Sequence, residues 1–443
     1  MTTYSPAVQR VPFNVVDEAI HLLNSEAEPW SVHVEVRVEA SLEEDRLRSA
    51  VARALDRHPM ARARKTATER RAEHRFYWEI TPEAELDPLG VIDCPNDHAL
   101  AAARVDLQSL RVPLAESPPL RMRLARHPQG DVVMLNVNHA ASDAFGAVRL
   151  LRSVARAYAG EEDPVPDIDP LRARSLRGLA GTDDAPTKVR RAALLAEKVR
   201  DLAFPPARIA ADEGSPRPGY GFHHVSFDRD RTKALVDLQL PGTVNDVLLA
   251  ALNLAIAAWN REHRVTTNRI GVMVPINMRP NQWREEIVGN LLLPVRVSTD
   301  RGDRGSLRSL LAAIVRQTRR IKEGGTAAAL MEVLGRSPAL PLGAKEATSP
   351  LLRLSGARLL DTALLSNLAR LDDPPNFGPQ AGDTVEVWFS APARMPLGLS
   401  IGVVTVAGRM HLVFRYRHPL FGPDAARRFA ERYDSALDLF LSM

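Results

Sequence analysis

Cysteine is almost missing from this chain: Cys94 is the single one in 443 residues. An intramolecular disulfide is therefore excluded, and so is a zinc site built on cysteine ligands. No apolar run reaches 18 residues, so no membrane-spanning helix is expected. Residues 1–10 lack a basic segment followed by an apolar one, so no signal peptide is expected and a cytoplasmic location fits. There is no glycine-rich phosphate loop and no cluster of residues at metal-ligand spacing, so neither a bound cofactor nor a metal is expected. Lysine is scarce, six of the 58 basic residues, and the arginines are interspersed with acids along the chain. A net charge of +4 without aromatic interleaving does not describe a nucleic-acid surface. The cluster Arg62, Arg64, Lys65, Arg70 and Arg71 would at most suit a phosphorylated partner.

What is present is globular: 45% apolar and 25% charged residues, enough chain for two domains. Residues 31–39 alternate valine with polar residues, the pattern of a half-buried strand with His33, Glu35 and Arg37 facing water. Asp17 is the expected cap of a short first helix. Ser41 and Glu44 make a capping box for a second, ended by Pro59. Residues 86–112 read as irregular apart from a helix near 98–103, and Leu120 opens a strand that Gln129-Gly130 turns into another. Residues 161–170 carry three prolines and five acids, a domain boundary, and 166–215 read as a connector, helical in part over 187–204. Beyond it, Thr243 caps a long Ala- and Leu-rich helix, and Ala407-Gly408-Arg409 is a hairpin turn. The order of elements argues an α/β fold, with one subdomain over 1–165 and a second over 216–443.

The chemistry concentrates in one stretch, Asn138-His139-Ala140-Ala141-Ser142-Asp143-Ala144-Phe145-Gly146. A β-branched run delivers His139 to a strand end, and a helical apolar pattern starts just after Asp143. A histidine there, with a carboxylate one turn away, is what proton transfer at neutral pH requires. The pair His223-His224 lies within an alternating strand, where neighbours point to opposite faces, so it reads as structural, as do His33, His58 and His74.

The stretch resembles the His-His-x-x-x-Asp-Gly motif of the superfamily that includes chloramphenicol acetyltransferase, the condensation domains of nonribosomal peptide synthetases, wax-ester synthases and polyketide-associated acyltransferases. Other segments match in order: Arg57-His58 through Arg62, Pro118-Pro119-Leu120-Arg121, Val274 through Arg279, Gly289-Asn290, Ser366-Asn367-Leu368 and the Gly408 hairpin. The resemblance implies two acetyltransferase-like subdomains of mixed sheets with packed helices, set in a V around a central tunnel. It also implies a free-standing condensation-type acyltransferase of secondary metabolism. The acyl thioester, on the phosphopantetheine of a carrier protein or on coenzyme A, would meet an amine or alcohol. Two other readings are a catalytically silent relative that binds carrier proteins, and a coenzyme A-dependent O-acyltransferase acting on a lipid or sugar alcohol. A monomer is expected.

By the same resemblance His139 is the catalytic base. Asp143 is a structural clamp whose expected partner is Arg62. Asn138 and Ala144 stand where the family has histidine and glycine. The first is expected to substitute as a hydrogen-bonding residue. The second raises the question of a positive φ, with Gly146 as partial compensation. Asn290, Ser366 and Asn367 are candidates for an oxyanion donor or tunnel lining. Arg279 is a candidate for a pantetheine phosphate, against an ordinary surface salt bridge.

Overall fold

The computed structural model describes residues 9–25, 28–67, 73–164, 167–174, 205–283, 285–323, 341–345 and 361–443, with the isolated positions 189, 192–193 and 347. The expected helix over 187–204 and the basic positions Arg70 and Arg71 lie outside the described residues. The first half comprises β1 (Gln9–Pro12), α1 (Val15–Leu23), β2 (Ser31–Val38), α2 (Glu44–Arg57), β3 (Ala63–Lys65), β4 (Tyr77–Ile80), β5 (Leu89–Asp93), α3 (Asp97–Ser109), β6 (Leu120–Arg126), β7 (Val132–Asn138) and α4 (Ala144–Ala159). The second comprises β8 (Tyr220–Phe227), α5 (Arg229–Val236), α6 (Val244–Glu262), β9 (Ile270–Asn277), β10 (Leu292–Thr299), α7 (Leu307–Glu323), β11 (Ala363–Arg370), β12 (Thr384–Ser390), β13 (Leu399–Val406), β14 (Arg409–Arg417) and α8 (Pro423–Leu441).

Two mixed sheets with packed helices form the body, as expected of an α/β fold. One has the order β12-β2-β7-β6-β5, the other β10-β9-β11-β13-β14-β8, and a small third sheet joins β1, β4 and β3. The expected boundary at residue 216 is crossed by β12, which leaves the second half in sequence and pairs antiparallel with β2 of the first. The core records the same exchange, since Leu291, Leu293 and Leu364 pack in the cluster built on β2, β7 and α4. A second cluster sits between α6, α8 and the outer face of the second sheet.

Four local expectations are corrected. The polar face of β2 is not solvated: all eight residues are buried, with β12 at the strand's open edge. There Glu35 bonds His33 Nε2 at 3.0 Å and receives Arg104 of α3 at 2.5 Å. Ser41 does not cap α2. The Leu42 amide donates to Asp131 (2.8 Å) and the Glu43 amide to the Tyr158 hydroxyl (2.9 Å), so distant groups satisfy the helix start. Asn14 rather than Asp17 caps α1; Asp17, three residues on, accepts from the Asn14 amide and is wholly buried against Trp78 and Arg174. The helix expected near 98–103 is present as the longer α3, but residues 89–93, expected to be irregular, form β5, so that β5, α3 and the expected β6 make a parallel crossover unit. By contrast α6 is as expected, with the Asp246 carboxylate accepting from both the amide and the hydroxyl of Thr243.

Candidate active site

β7 ends at Asn138, and its pairing with β2 sets Asn138 opposite Ser31. Asn138 is buried and fully engaged. Its amide donates to Pro119 O (3.0 Å), its Nδ2 to Val112 O (2.8 Å), and its Oδ1 accepts from Ala140 (3.0 Å). The asparagine thus closes the turn that presents His139. The next peptide is pinned from both halves: the His139 amide donates to Trp30 O at 3.0 Å, and Asn290 Nδ2 donates to His139 O at 2.8 Å.

The His139 side chain is half-buried. Nδ1 is enclosed without a bonded partner, and Nε2 bonds to nothing among the described residues. Burial lowers the imidazole's proton affinity below the ordinary histidine value. The Asp143 carboxylate and the carbonyls of His139 and Ser142 oppose this, and Arg415 adds to it. A neutral ring with one free nitrogen is the form a general base needs.

Asp143 is the N-cap of α4 and has no exposed surface. Its Oδ1 accepts from the Gly146 amide (3.0 Å) and Arg279 Nη2 (2.9 Å); its Oδ2 accepts from Arg279 Nη1 (2.7 Å) and the Leu291 amide (2.8 Å). The clamp expected of Asp143 therefore exists, but its partner is Arg279 and not Arg62. Arg62 donates to the carbonyls of Thr81, Leu55 and Asp56, where it ties α2 to the following strand. Arg279 also donates to Ile287 O (3.0 Å) and Gly289 O (2.9 Å). With its side chain wholly enclosed, it is neither a surface ion pair nor positioned to take a pantetheine phosphate.

Ala144 is the first residue of α4, outside the positive-φ residues, so a side chain is tolerated there. The tight contact falls on Gly146, where a Cβ would lie 2.3 Å from Ser142 Oγ and 3.0 Å from the Gly289 amide nitrogen. Asn290 is wholly buried with one amide hydrogen committed to His139, so it positions the histidine and is not an open oxyanion donor. Ser366 and Asn367 are neighbours on β11 and point to opposite faces. Ser366 shares the face of Leu364, which packs in the first core, whereas Asn367 bonds the Ala369 amide in its own bulge and is no part of the site.

One feature of the site had no signal in the motif: Arg415 of β14. It is completely buried, stacked 4.0 Å from the Tyr220 ring, and donates to Ser31 O at 3.0 Å. Trp30, Phe145, Phe222, Met273 and Met278 are half-buried apolar residues at the same junction. Among the described residues no group of metal-ligating side chains is found.

The chain has the fold of the condensation and epimerization domains of nonribosomal peptide synthetases. The epimerization domain from the third module of tyrocidine synthetase B superimposes with a TM-score of 0.68 at 15% identity, over 98% of this chain and 97% of that one. The first condensation domain of the CDA synthetase gives 0.68 at 16%, over 98% and 96%. The cyclization-docking bidomain of EpoB from Sorangium cellulosum gives 0.68 at 17%, over 98% and 85%. In sequence the chain belongs to one family with the uncharacterized proteins Rv2305 and MT2362 of Mycobacterium tuberculosis, each 34% identical over 411 residues, 92% of this chain and 94% of theirs. A probable non-canonical nonribosomal peptide synthetase of Salinispora arenicola, CymA, is 25% identical over 325 residues, which are 70% of this chain and 4% of that protein. No family model matches the sequence.

Proposed function

We propose that this chain is a condensation-type acyltransferase that moves an acyl group from a phosphopantetheine thioester to an amine or an alcohol. The observation that carries the reading is His139: a half-buried imidazole at a strand end, its peptide held from both halves, its Nε2 without a hydrogen bond among the described residues. In the reaction the nucleophile's nitrogen or oxygen attacks the thioester carbonyl while Nε2 takes its proton. The tetrahedral adduct then expels the pantetheine sulfur, which receives that proton back, so ester or amide and free thiol are formed. General-base assistance of this kind is worth roughly 10²–10⁴-fold. The thioester is already activated, so no acyl-enzyme is required. The donor is an acyl thioester on the phosphopantetheine of an acyl or peptidyl carrier protein or on coenzyme A.

The two departures from the superfamily motif leave the base in place. Asn138 supplies the hydrogen bonds that close the turn, and Ala144 sits in a helical conformation. This favours an enzyme over a silent carrier-binding relative. The test is mass spectrometry of acyl-carrier-protein and acyl-coenzyme A donors incubated with a panel of amines and alcohols. Wild type is expected to form an ester or amide and His139→Ala to lose it while keeping its circular dichroism. Undiminished transfer by the alanine variant would refute the assignment.

A further inference from the structure

Among the described residues Arg415 is a buried cation with no carboxylate in hydrogen-bond reach, and Glu28 acts on it only from a distance. The protein acceptors of its guanidinium are neutral: Ser31 O at 3.0 Å and Gln108 O at 3.4 Å. Tyr220 stacks on it at 4.0 Å, and Phe222 lies 5.7 Å away. The neighbouring carboxylate, Glu28, is bonded 3.1 Å from Arg417, the next outward residue on the same face of β14. A fully desolvated guanidinium with no carboxylate in bonding reach is unfavourable in the resting protein, and natural interiors pair such charges or use them.

The surroundings are unsatisfied in the same sense. Arg415 Nε, Ser31 Oγ, Gln108 Nε2 and Arg417 Nε and Nη1 are all buried without a hydrogen-bond partner among the described residues. Buried polar groups are ordinarily bonded, and a local concentration of exceptions calls for a polar ligand. Four of these five atoms are donors only, so the ligand that satisfies them is an acceptor, and the arginine makes it an anion.

The place is next to the reacting centre. The carbonyls of Trp30 and Ser31 are consecutive; the first receives the His139 amide and the second receives Arg415 Nη1. The Arg415 charge is felt by the His139 imidazole. The adjoining half-buried surface, Trp30 and Phe222, is apolar.

We propose that Arg415, backed by Tyr220 and Arg417, binds a carboxylate carried by the substrate that is processed at His139. The recognised chemistry is thus an amino or hydroxy acid presented with its carboxylate free, or an acyl chain that ends in a carboxylate. This rests on the acyltransferase reading for its substrate but is tested by binding alone. The planar guanidinium forms two parallel bonds to the carboxylate, and the apolar surface beside it takes the rest of the molecule.

The experiment is titration calorimetry on the full chain with matched pairs. Free amino and hydroxy acids are compared with their primary amides, and succinyl- and glutaryl-coenzyme A with butyryl- and valeryl-coenzyme A. The expected result is that acids of one set bind roughly tenfold or more tighter than their neutral counterparts, the gain of a charge-assisted bond. The set that does so identifies the acceptor or the donor as the carboxylate carrier. Arg415→Gln should abolish that preference and Arg415→Lys should keep part of it, since the charge remains while the planar fork is lost. Equal binding of acids and neutral counterparts to wild type in both sets overturns the proposal, as does a preference that survives Arg415→Gln. His139→Ala should bind with the wild-type preference. Wild-type protein that shows the preference but transfers no acyl group would fault the reaction and leave the carboxylate site standing.

Discussion

At the level of single residues the site divides into one side chain that meets substrate and several that hold it there. His139 must be unprotonated to accept a proton, and burial lowers its affinity for one. With an alcohol acceptor, which does not titrate in this range, the kcat/KM profile is therefore expected to be flat from neutral pH upward and to fall only on an acid limb set below the ordinary histidine value of about 6.5. A limb at or above that value, in a rate measurement with saturating donor, would contradict the burial argument. Asp143 and Arg279 form the hold. Arg279→Gln leaves a buried carboxylate with two of its four hydrogen bonds, and the loss of one member of such a pair costs about 3–5 kcal/mol. Arg62→Ala is expected to cost less, because Arg62 is only half-buried and bonds carbonyls, not a carboxylate. Urea denaturation of the two variants side by side decides which arginine is the clamp; equal losses would return the role to Arg62. The motif made His139 and Asp143 legible in the sequence. The partner of Asp143 was not, because Arg279 lies 136 residues away and a pairing at that distance leaves no trace in local pattern. Ala144 and Gly146 were legible as a departure but not as a solution: only the approach of Gly289 shows that position 146 is the one that must lack a side chain. Gly146→Ala should therefore cost about 1–3 kcal/mol by overpacking. Ala144→Gly should also destabilise, by up to about 1 kcal/mol, since it loosens the first turn of α4.

At the level of elements, hydrophobic periodicity located strands and helices whose faces obey one rule and failed where a second layer intervened. The alternation of β2 is real, but β12 arrives from beyond residue 380 to lie beside it, so its polar face becomes an interior. Burial alone would push the Glu35 carboxyl up. The Arg104 guanidinium and the bond to His33 more than offset this and hold it below the usual carboxylate range. Glu35 and Arg104 therefore act as a buried pair that fastens α3 to β2. Either Glu35→Met or Arg104→Met alone is expected to destabilise by about 3–5 kcal/mol, whereas the double variant should recover most of the loss, because a well-packed apolar pair replaces the ionic one without stranding a charge. A guanidinium chloride double-mutant cycle measures this, and additive losses would mean that the two side chains do not depend on each other. The strand β5 escaped the sequence reading for a related reason. Its burial pattern has one enclosed residue and four that are exposed or half-exposed, so it shows no alternation, and its pairing with β6 is parallel through α3. The Ser41 cap expected for α2 does not form, and the amides of Leu42 and Glu43 just ahead of the helix are taken instead by Asp131 and Tyr158, which lie far along the chain.

At the level of the whole molecule, buried histidines turn the fold into one that is sensitive to acid. Burial lowers His58 to about 3, with the nearby Arg149 charge adding to the effect. Burial likewise lowers His411 to about 4. The unfolded chain binds protons at these sites near the ordinary value of about 6.5, so between there and pH 4 the unfolded state holds more protons than the native one. Stability is therefore present in full above pH 6.5 and is lost as the pH falls toward the native values. Each such histidine contributes a slope of up to about 1.4 kcal/mol per pH unit. His411 offers the cleanest test. Its ring packs edge-on against Trp388 at a centroid distance of 4.6 Å, and neither ring nitrogen has a hydrogen-bond partner among the described residues. His411→Phe keeps the aromatic contact, removes two unpaired polar atoms and removes the titration. Calorimetric melting in steps from pH 7.5 to 5.5 should then show a variant at least as stable as wild type at the neutral end, and less steeply destabilised on the way down. A His411→Phe variant whose stability falls as fast with acid as the wild type's would mean that this histidine is charged in the native state, and that the junction between β14 and β12 is wetter than its burial implies.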